Sequence, residues 1–276
     1  MKKQLKIQFI FAHPDDGEDC GGTAAQLANA GHTVQILSIT NGQSGHYEML
    51  GHKLVSVRYE EVQESKRRLG IDSYVVLDNN DGYLFADVPT RERLMKPVRE
   101  FAPDIIITHR PYEYHPDVRN AALLVQDCAS LLRVPNFLPL TPIPKSSPVV
   151  FFKHDASMKP LPFNPDIVVD IDGVAKKKLM AYDAHATQVY GFRPWFEGNT
   201  HVPGSPEGRK KYLENIFYPQ WAEVANRFRN KLIEKYGEER GSKIKYAEAF
   251  EAAEYGAPHD LEAEREIFVF AASSRG

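Results

Sequence analysis

A nearly unbroken apolar run, Ile7 to Phe11, leads directly into Ala12-His13-Pro14-Asp15-Asp16-Gly17-Glu18-Asp19-Cys20-Gly21-Gly22, and a helix-like segment, Thr23 to Ala30, follows. No other stretch restricts the fold as tightly. The run is too dense in apolar residues for a half-exposed strand, which places it centrally in a parallel sheet. Gly21 and Gly22 let the next helix approach that strand closely. The loop between them carries one imidazole and four carboxylates, at positions 13, 15, 16, 18 and 19. Negative charge packed just past a buried strand needs a cation or hydrogen-bond donors. A His and an Asp three apart suit a zinc-like ion and leave the adjacent Asp15 free to act on a metal-bound water. An acidic turn that caps the next helix reads the same residues without a metal.

The alternation continues. Thr33 to Thr40 reads as a second strand, Val55 to Leu69 as a helix ending at Gly70, and Tyr74 to Leu77 as a third strand. Arg91 to Phe101 is helical, Asp104 to Thr108 is an apolar strand core, and Val118 to Leu132 is a further helix. The pattern predicts an α/β fold: a Rossmann-like, doubly wound, mostly parallel sheet with helices on both faces and right-handed crossovers. Ligands of such sheets gather outside the carboxyl ends of the strands, near a topological switch point. The loops at 13–19 and 109–117 both leave predicted central strands there and are expected to meet. A nucleotide site is the competing use of this topology. It needs glycines and free N–H groups where this chain has carboxylates, so it is set aside.

Beyond residue 134 the composition shifts. Eight prolines fall between 135 and 165, at 135, 139, 142, 144, 148, 160, 162 and 165, which marks irregular chain. Val149 to Phe152 and Ile167 to Ile171 read as extra strands, Lys176 to Ala184 as a helix, and 192–207 as loop. Gly208 to Tyr236 reads as a long helix, Ala247 to Tyr255 as a short one, and Glu266 to Ala271 as a short strand or packed tail. With no repeat and no clear linker, the 276 residues are read as one domain, a core at 1–134 with a helical and irregular elaboration at 135–276.

The net charge of −3 gives no case for nucleic acid or an anionic membrane surface. The two cysteines, Cys20 and Cys128, cannot build a disulfide framework and fit a reducing, cytoplasmic location. Leu5 to Ala12 is read as the first strand rather than a signal peptide, and no apolar run approaches a membrane span.

These residues resemble the LmbE/PIG-L family of zinc-dependent N-acetylglucosaminyl-type deacetylases. The resemblance rests on Ala12-His13-Pro14-Asp15-Asp16, Gly21-Gly22-Thr23, Thr40-Asn41-Gly42 with Gly45-His46, and Arg58 with Glu61. It continues through Asp81-Gly82, His115-Pro116-Asp117, His185-Ala186-Thr187-Gln188, Glu248-Ala249-Phe250 and Glu254-Tyr255-Gly256. It implies His13 and Asp16 as metal ligands, Asp15 as general base, and His115 as a catalytic imidazole tuned by Asp117. It also implies Arg58 and Asp81 as substrate contacts, and His46 and His185 are grouped with them. The cofactor implied is Zn2+ or another divalent metal. The substrate implied is a small N-acetylated sugar or glycoconjugate; homo-oligomerisation is left open.

One position departs from the family. Its second motif, His-Pro-Asp-His, ends on the third zinc ligand, and here that position is Val118. Three outcomes stay open: a substitute ligand among His115, His46 and His185, a looser site completed by water, or a metal-free protein that kept the pocket. The leading expectation is metal-assisted hydrolysis releasing acetate from an N-acetylated amino sugar. The alternatives are a non-catalytic glycan-binding protein and a hydrolase of a different amide.

Overall fold

The protein is seen in a computed structural model that describes residues 4–199 and 201–270. The chain begins β1 (Lys6–Phe11), a 3-10 turn (Asp16–Cys20), α1 (Gly21–Asn29), β2 (Thr33–Thr40), α2 (Gly51–Leu69), β3 (Ser73–Asn79), α3 (Val88–Phe101), β4 (Ile105–Thr108) and α4 (Pro116–Leu131). Next come β5 (Val149–Lys153), β6 (Ile167–Asp170), α5 (Ala175–Ala184), a short α6 (Arg193–Phe196), α7 (Pro206–Arg227), α8 (Arg229–Tyr236), a one-turn α9 (Glu238–Gly241), β7 (Ala247–Gly256) and α10 (Leu261–Ile267).

One seven-stranded sheet joins these, in the order β3-β2-β1-β4-β5-β7-β6. The strands β1 to β5 pair in parallel, and β7 lies antiparallel to both β5 and β6. Strand order reverses between β1 and β4, so the loops leaving those two strands open a crevice between them. The expected α/β architecture is what the chain adopts.

Alternation along β1 builds both faces of the core. Ile7, Phe9 and Phe11 point to one side with Ala24, Val62, Leu179 and Phe217, from α1, α2, α5 and α7. Ile10 points to the other with Leu94 and Leu124, from α3 and α4. Each fully buried phenylalanine contributes about 1.5–3 kcal/mol relative to exposure. Gln8 is also buried, and it is tolerated because its amide donates to Gln35 Oε1 at 2.7 Å on β2. The glycine pair makes its close approach to other segments than the expected β1: a Cβ at Gly22 would lie 2.8 Å from Ile171 Cγ2, and one at Gly21 3.2 Å from Leu69 Cδ2.

Three expectations are corrected. Ala247 to Tyr255, expected as a helix, is β7. Its alanines and glutamates are good helix formers, but the gap between the apolar strands β5 and β6 offers ladder partners that override propensity. The long helix expected from Gly208 to Tyr236 breaks at Phe228 into α7 and α8. The expected strand or tail at Glu266–Ala271 begins inside α10, whose N-cap Asp260 accepts from Ala263 N at 3.2 Å, and Ala271 lies outside the described residues.

Candidate active site

The loop after β1 folds back at once. The backbone N–H of His13 donates to Asp16 Oδ2 at 2.7 Å, and Asp16 N donates to His13 O at 3.2 Å. The same Oδ2 lies 3.2 Å from His13 Nδ1. On the opposite ring nitrogen, His13 Nε2 faces Asp81 Oδ1 at 3.4 Å and Asp117 Oδ2 at 3.5 Å. Burial alone would lower the affinity of His13 for a proton, but Asp16, Asp117 and Asp81 together hold its pKa well above the ordinary value. Asp16 shows the reciprocal effect, held well below the carboxylate range against burial by His13 and His109.

Asp15 stands apart from that pairing. Burial pushes its carboxyl up, and adjacent Asp16 adds to the rise, against the opposing cations of Arg58, His185 and His13. A carboxylate moved toward neutrality is suited to accept a proton.

From β4, the second loop brings His115 to the N-cap of α4. Its Nδ1 accepts from Asp117 N at 3.2 Å, which assigns the proton of the neutral imidazole to Nε2. Its ring meets that of His13 edge-on, with centroids 4.7 Å apart. Burial and the neighbouring His13 lower its pKa. The hydrogen bond to His115 comes from the Asp117 backbone, while the Asp117 carboxylate acts on the imidazole through its charge, which favours the protonated form. The buried Asp117 carboxylate receives Gly82 N at 2.6 Å and Leu84 N at 3.1 Å, fixing the loop that carries Asp81.

The two loops do meet, in a cleft of about 410 Å3 lined by His13, Asp15, Asp16, Arg58, Asp81 and His115, among others. Arg58 is buried rather than a surface arginine, and donates to Gly45 O at 2.7 Å and Gln188 Oε1 at 2.5 Å. A Cβ at Gly45 would lie 2.7 Å from Arg58 Nη2 and would push the guanidinium from this place. Glu61 accepts from Thr187 N and Oγ1, each at 2.7 Å, so the motifs at 58–61 and 187–188 lock together.

Two residues grouped with the substrate contacts lie elsewhere. His46 does not line the cleft; its Nδ1 accepts from Glu48 and Met49 N–H groups at 3.1 Å, and its ring stacks on Tyr47. His185 is buried behind the loop, with Nε2 2.9 Å from Glu18 Oε1. Glu18 also accepts from Ser65 and Tyr74 hydroxyls. Neither histidine reaches the His13 pair as a substitute ligand, whereas His115 does approach it.

Sequence reasoning passed over His109, Lys153 and Glu113, all of which line the cleft. His109 Nε2 accepts from Ala12 N at 3.1 Å and lies 3.3 Å from Asp16 Oδ2. Its position directly after an apolar strand was the available signal. Lys153 pairs with Asp19 at 2.7 Å, a contact between distant segments that no local pattern announces.

The donors suit a divalent ion. His13 Nδ1 and Asp16 Oδ2 are separated by 3.2 Å, close to the ~3.3 Å edge of a tetrahedron with ~2.0–2.1 Å bonds. His13 Nε2 is buried and makes no hydrogen bond among the described residues. Ligand atoms of His13, His115 and Asp117 also gather within 4.8 Å of one another. Val118 lines the cleft, belongs to the apolar cluster between α3, α4 and the sheet, and offers no donor.

Fold and cleft together define an α/β protein with a His/carboxylate site at the switch point of its sheet. Residues 8–129 match the family described as PIG-L, GlcNAc-PI de-N-acetylase. A diacetylchitobiose deacetylase of Thermococcus kodakarensis is 31% identical over 193 residues, covering 66% of this chain and 70% of that one. The chain belongs to the PIG-L (LmbE-like) family. A probable N-acetyl-alpha-D-glucosaminyl L-malate deacetylase of Bacillus anthracis is 25% identical over 205 residues, covering 68% of this chain and 83% of that one. Among solved structures, an N,N'-diacetylchitobiose deacetylase from Pyrococcus horikoshii, bound to an inhibitor, superposes with a TM-score of 0.68 at 24% identity, over 91% of this chain and 85% of that one. That likeness establishes the fold.

Proposed function

We propose that the protein removes the acetyl group from an N-acetylated amino sugar in a metal-dependent reaction. That it is an amide hydrolase of the N-deacetylase type follows from its kinship with the deacetylases above. The metal and the site roles rest on one observation: His13 and Asp16 stand at ligand spacing in a cleft that Asp15 and His115 also line.

His13 and Asp16 would hold a divalent ion, with the remaining positions left to water and substrate because Val118 offers no third bond. When bound, such an ion polarises the acetamide carbonyl and acidifies water. Asp15 takes the proton of the attacking water, the role its raised pKa fits. His115 donates from Nε2–H to the oxygen that gains negative charge, and its capping bond to Asp117 N fixes that tautomer. Asp15 then returns its proton to the leaving amine. Arg58, held by Gly45 and Gln188, and Asp81 face the sugar hydroxyls.

The test pairs acetate release with metal content. Asp15→Asn is expected to lose at least a thousandfold in turnover while keeping the metal uptake of the parent protein. Full turnover by the variant would overturn the assigned base, and absence of metal dependence in the parent would overturn the metal.

A further inference from the structure

A pocket of about 240 Å3 opens at the edge strand β6 and shares no lining residue with the cleft. Three elements wall it: Asp166 and Val168 at β6, Lys231 and Lys235 of α8, and Arg265 of α10. Lys235 is mostly buried there, and its Nζ donates to two neutral acceptors, Val168 O at 3.4 Å and Phe268 O at 3.1 Å. A neutral amine has two N–H groups and one lone pair. Two carbonyls take the N–H groups and leave the lone pair for what enters the pocket. Burial holds the amine near that neutral form, with its pKa down at about 7. The charges of Arg265 and Arg240 lower it further, against Glu266 and Asp170. Desolvation of this kind turns a lysine into a nucleophile.

The charged groups around the amine sort by depth. Glu234 of α8 and Glu262 and Glu266 of α10 are exposed, at the mouth. Asp166 Oδ2 accepts from Ala252 N at 2.8 Å, and Asp170 Oδ2 pairs with Arg240 of α9 at 2.9 Å. Lys231 and Arg265 are partly buried cations in the wall, and Arg265 is fixed there by its Nε, which donates to Asp166 O at 3.1 Å. The exposed carboxylates repel an anionic reagent such as an acyl phosphate, whereas a small uncharged electrophile passes them. An aldehyde or acyl donor would leave a neutral group that the two cations do not stabilise. An anionic product matches them, since guanidinium and carboxylate make strong charge-assisted hydrogen bonds.

We propose that Lys235 is a carbon dioxide site, where the amine takes up CO2 as a carbamate held by Arg265 and Lys231. The nitrogen lone pair forms a bond to the carbon of CO2, one C–O π pair moves onto oxygen, and one N–H proton leaves to solvent. A neutral amine and CO2 thus give an anionic carbamate and one proton. The remaining N–H keeps a carbonyl acceptor, and the new charge ties α8 to α10. This site is independent of the deacetylase reading.

The test uses the full chain at pH 8 in 13C-labelled bicarbonate, which supplies CO2. Carbamates are fixed by alkylation with triethyloxonium and located by peptide mass spectrometry. Labelled carbamate is expected on Lys235 at least tenfold above that on the exposed Lys53 and Lys210. The α-amino group of the chain, with an ordinary pKa of about 7.7–8.0, is the positive control for trapping. Label on the α-amino group alone, or on Lys235 no more than on Lys53, overturns the site. Arg265→Gln is expected to lower the occupancy of Lys235 at least threefold, and unchanged occupancy overturns Arg265 as its partner. At pH 8 an unfolded lysine is protonated and takes no CO2, so uptake stabilises the folded chain alone. Bicarbonate is therefore expected to raise the Tm of the parent protein by about 1–2 °C over chloride of equal ionic strength, with no rise in Lys235→Met. An equal rise in both overturns the site, and should Lys235→Met fail to fold, trapping on the parent protein decides.

Discussion

Glu248 on β7 lies 2.7 Å from Lys178 on α5, and its two carboxylate oxygens also receive the N–H groups of Gly22 and Thr23, at 2.9 and 2.8 Å. Both side chains are buried. The carboxylate thus satisfies the first turn of α1 and neutralises an ammonium at one point, where the positive end of the helix favours it. Glu248→Ala leaves a buried unpaired lysine and open helix N–H groups, and is expected to cost about 3–5 kcal/mol. Glu248→Gln keeps one acceptor and is expected to cost less. Urea denaturation of the three proteins orders them.

In the proposed metal-dependent reaction, Val118 limits the strength of metal binding. Catalytic zinc sites use three protein ligands, and this position offers none. Val118→His is expected to tighten metal binding by at least tenfold, measured by competition with a chromophoric chelator. Unchanged affinity would mean that the chain already supplies a third donor, with His115 the nearest.

Arg58 spans two acceptors, Gly45 O and Gln188 Oε1. Both bonds come from Nη2 at the tip of the guanidinium, beyond the reach of the shorter lysine side chain. Arg58→Lys is expected to raise KM about tenfold by freeing the loop at 42–45, with metal content unaltered.

The folded state carries a pH-dependent element far from the cleft. Burial pushes the Lys235 amine down to about 7, where the carbonyls of Val168 and Phe268 accept from it, at 3.4 and 3.1 Å. Between about pH 7 and the unfolded value of 10.5 the unfolded chain holds a proton that the folded chain lacks, so stability rises with pH. The contribution is complete above 10.5 and lost as pH falls through 7. The melting temperature of the parent protein is therefore expected to climb from pH 7 toward pH 9.5 relative to Lys235→Met, which lacks the titrating group.

The parts of this protein legible in its sequence are those decided locally. The Ile7–Phe11 run, the loop at 12–22 and the apolar strand before His109 specify a parallel sheet and the edge at which its site forms, because strand density and loop position follow from neighbouring residues alone. What escaped depends on partners distant in sequence. The strand β7 was misread because its pairing with β5 and β6 overrides the helical preference of alanine and glutamate. His46 and His185 were placed among the substrate contacts by motif, yet one caps a turn and the other neutralises Glu18. Asp117 lies beside His115 in sequence, but its carboxylate reaches Gly82 and Leu84 instead, a choice made by the fold of the 78–84 loop.

The place of β7 between β5 and the edge strand β6 constrains how the chain can be assembled. Residues 247–256 complete the ladder between β5 and β6, strands formed about eighty residues or more upstream. Until residues 247–256 dock, β5 exposes an unpaired apolar edge and Lys178 has no counter-ion. A nascent chain on the ribosome therefore carries a formed β1–β4 crevice beside an open edge. The sheet is complete only once residues 247–256 have been made and docked, which makes that segment the step that separates a folded core from a closed ladder.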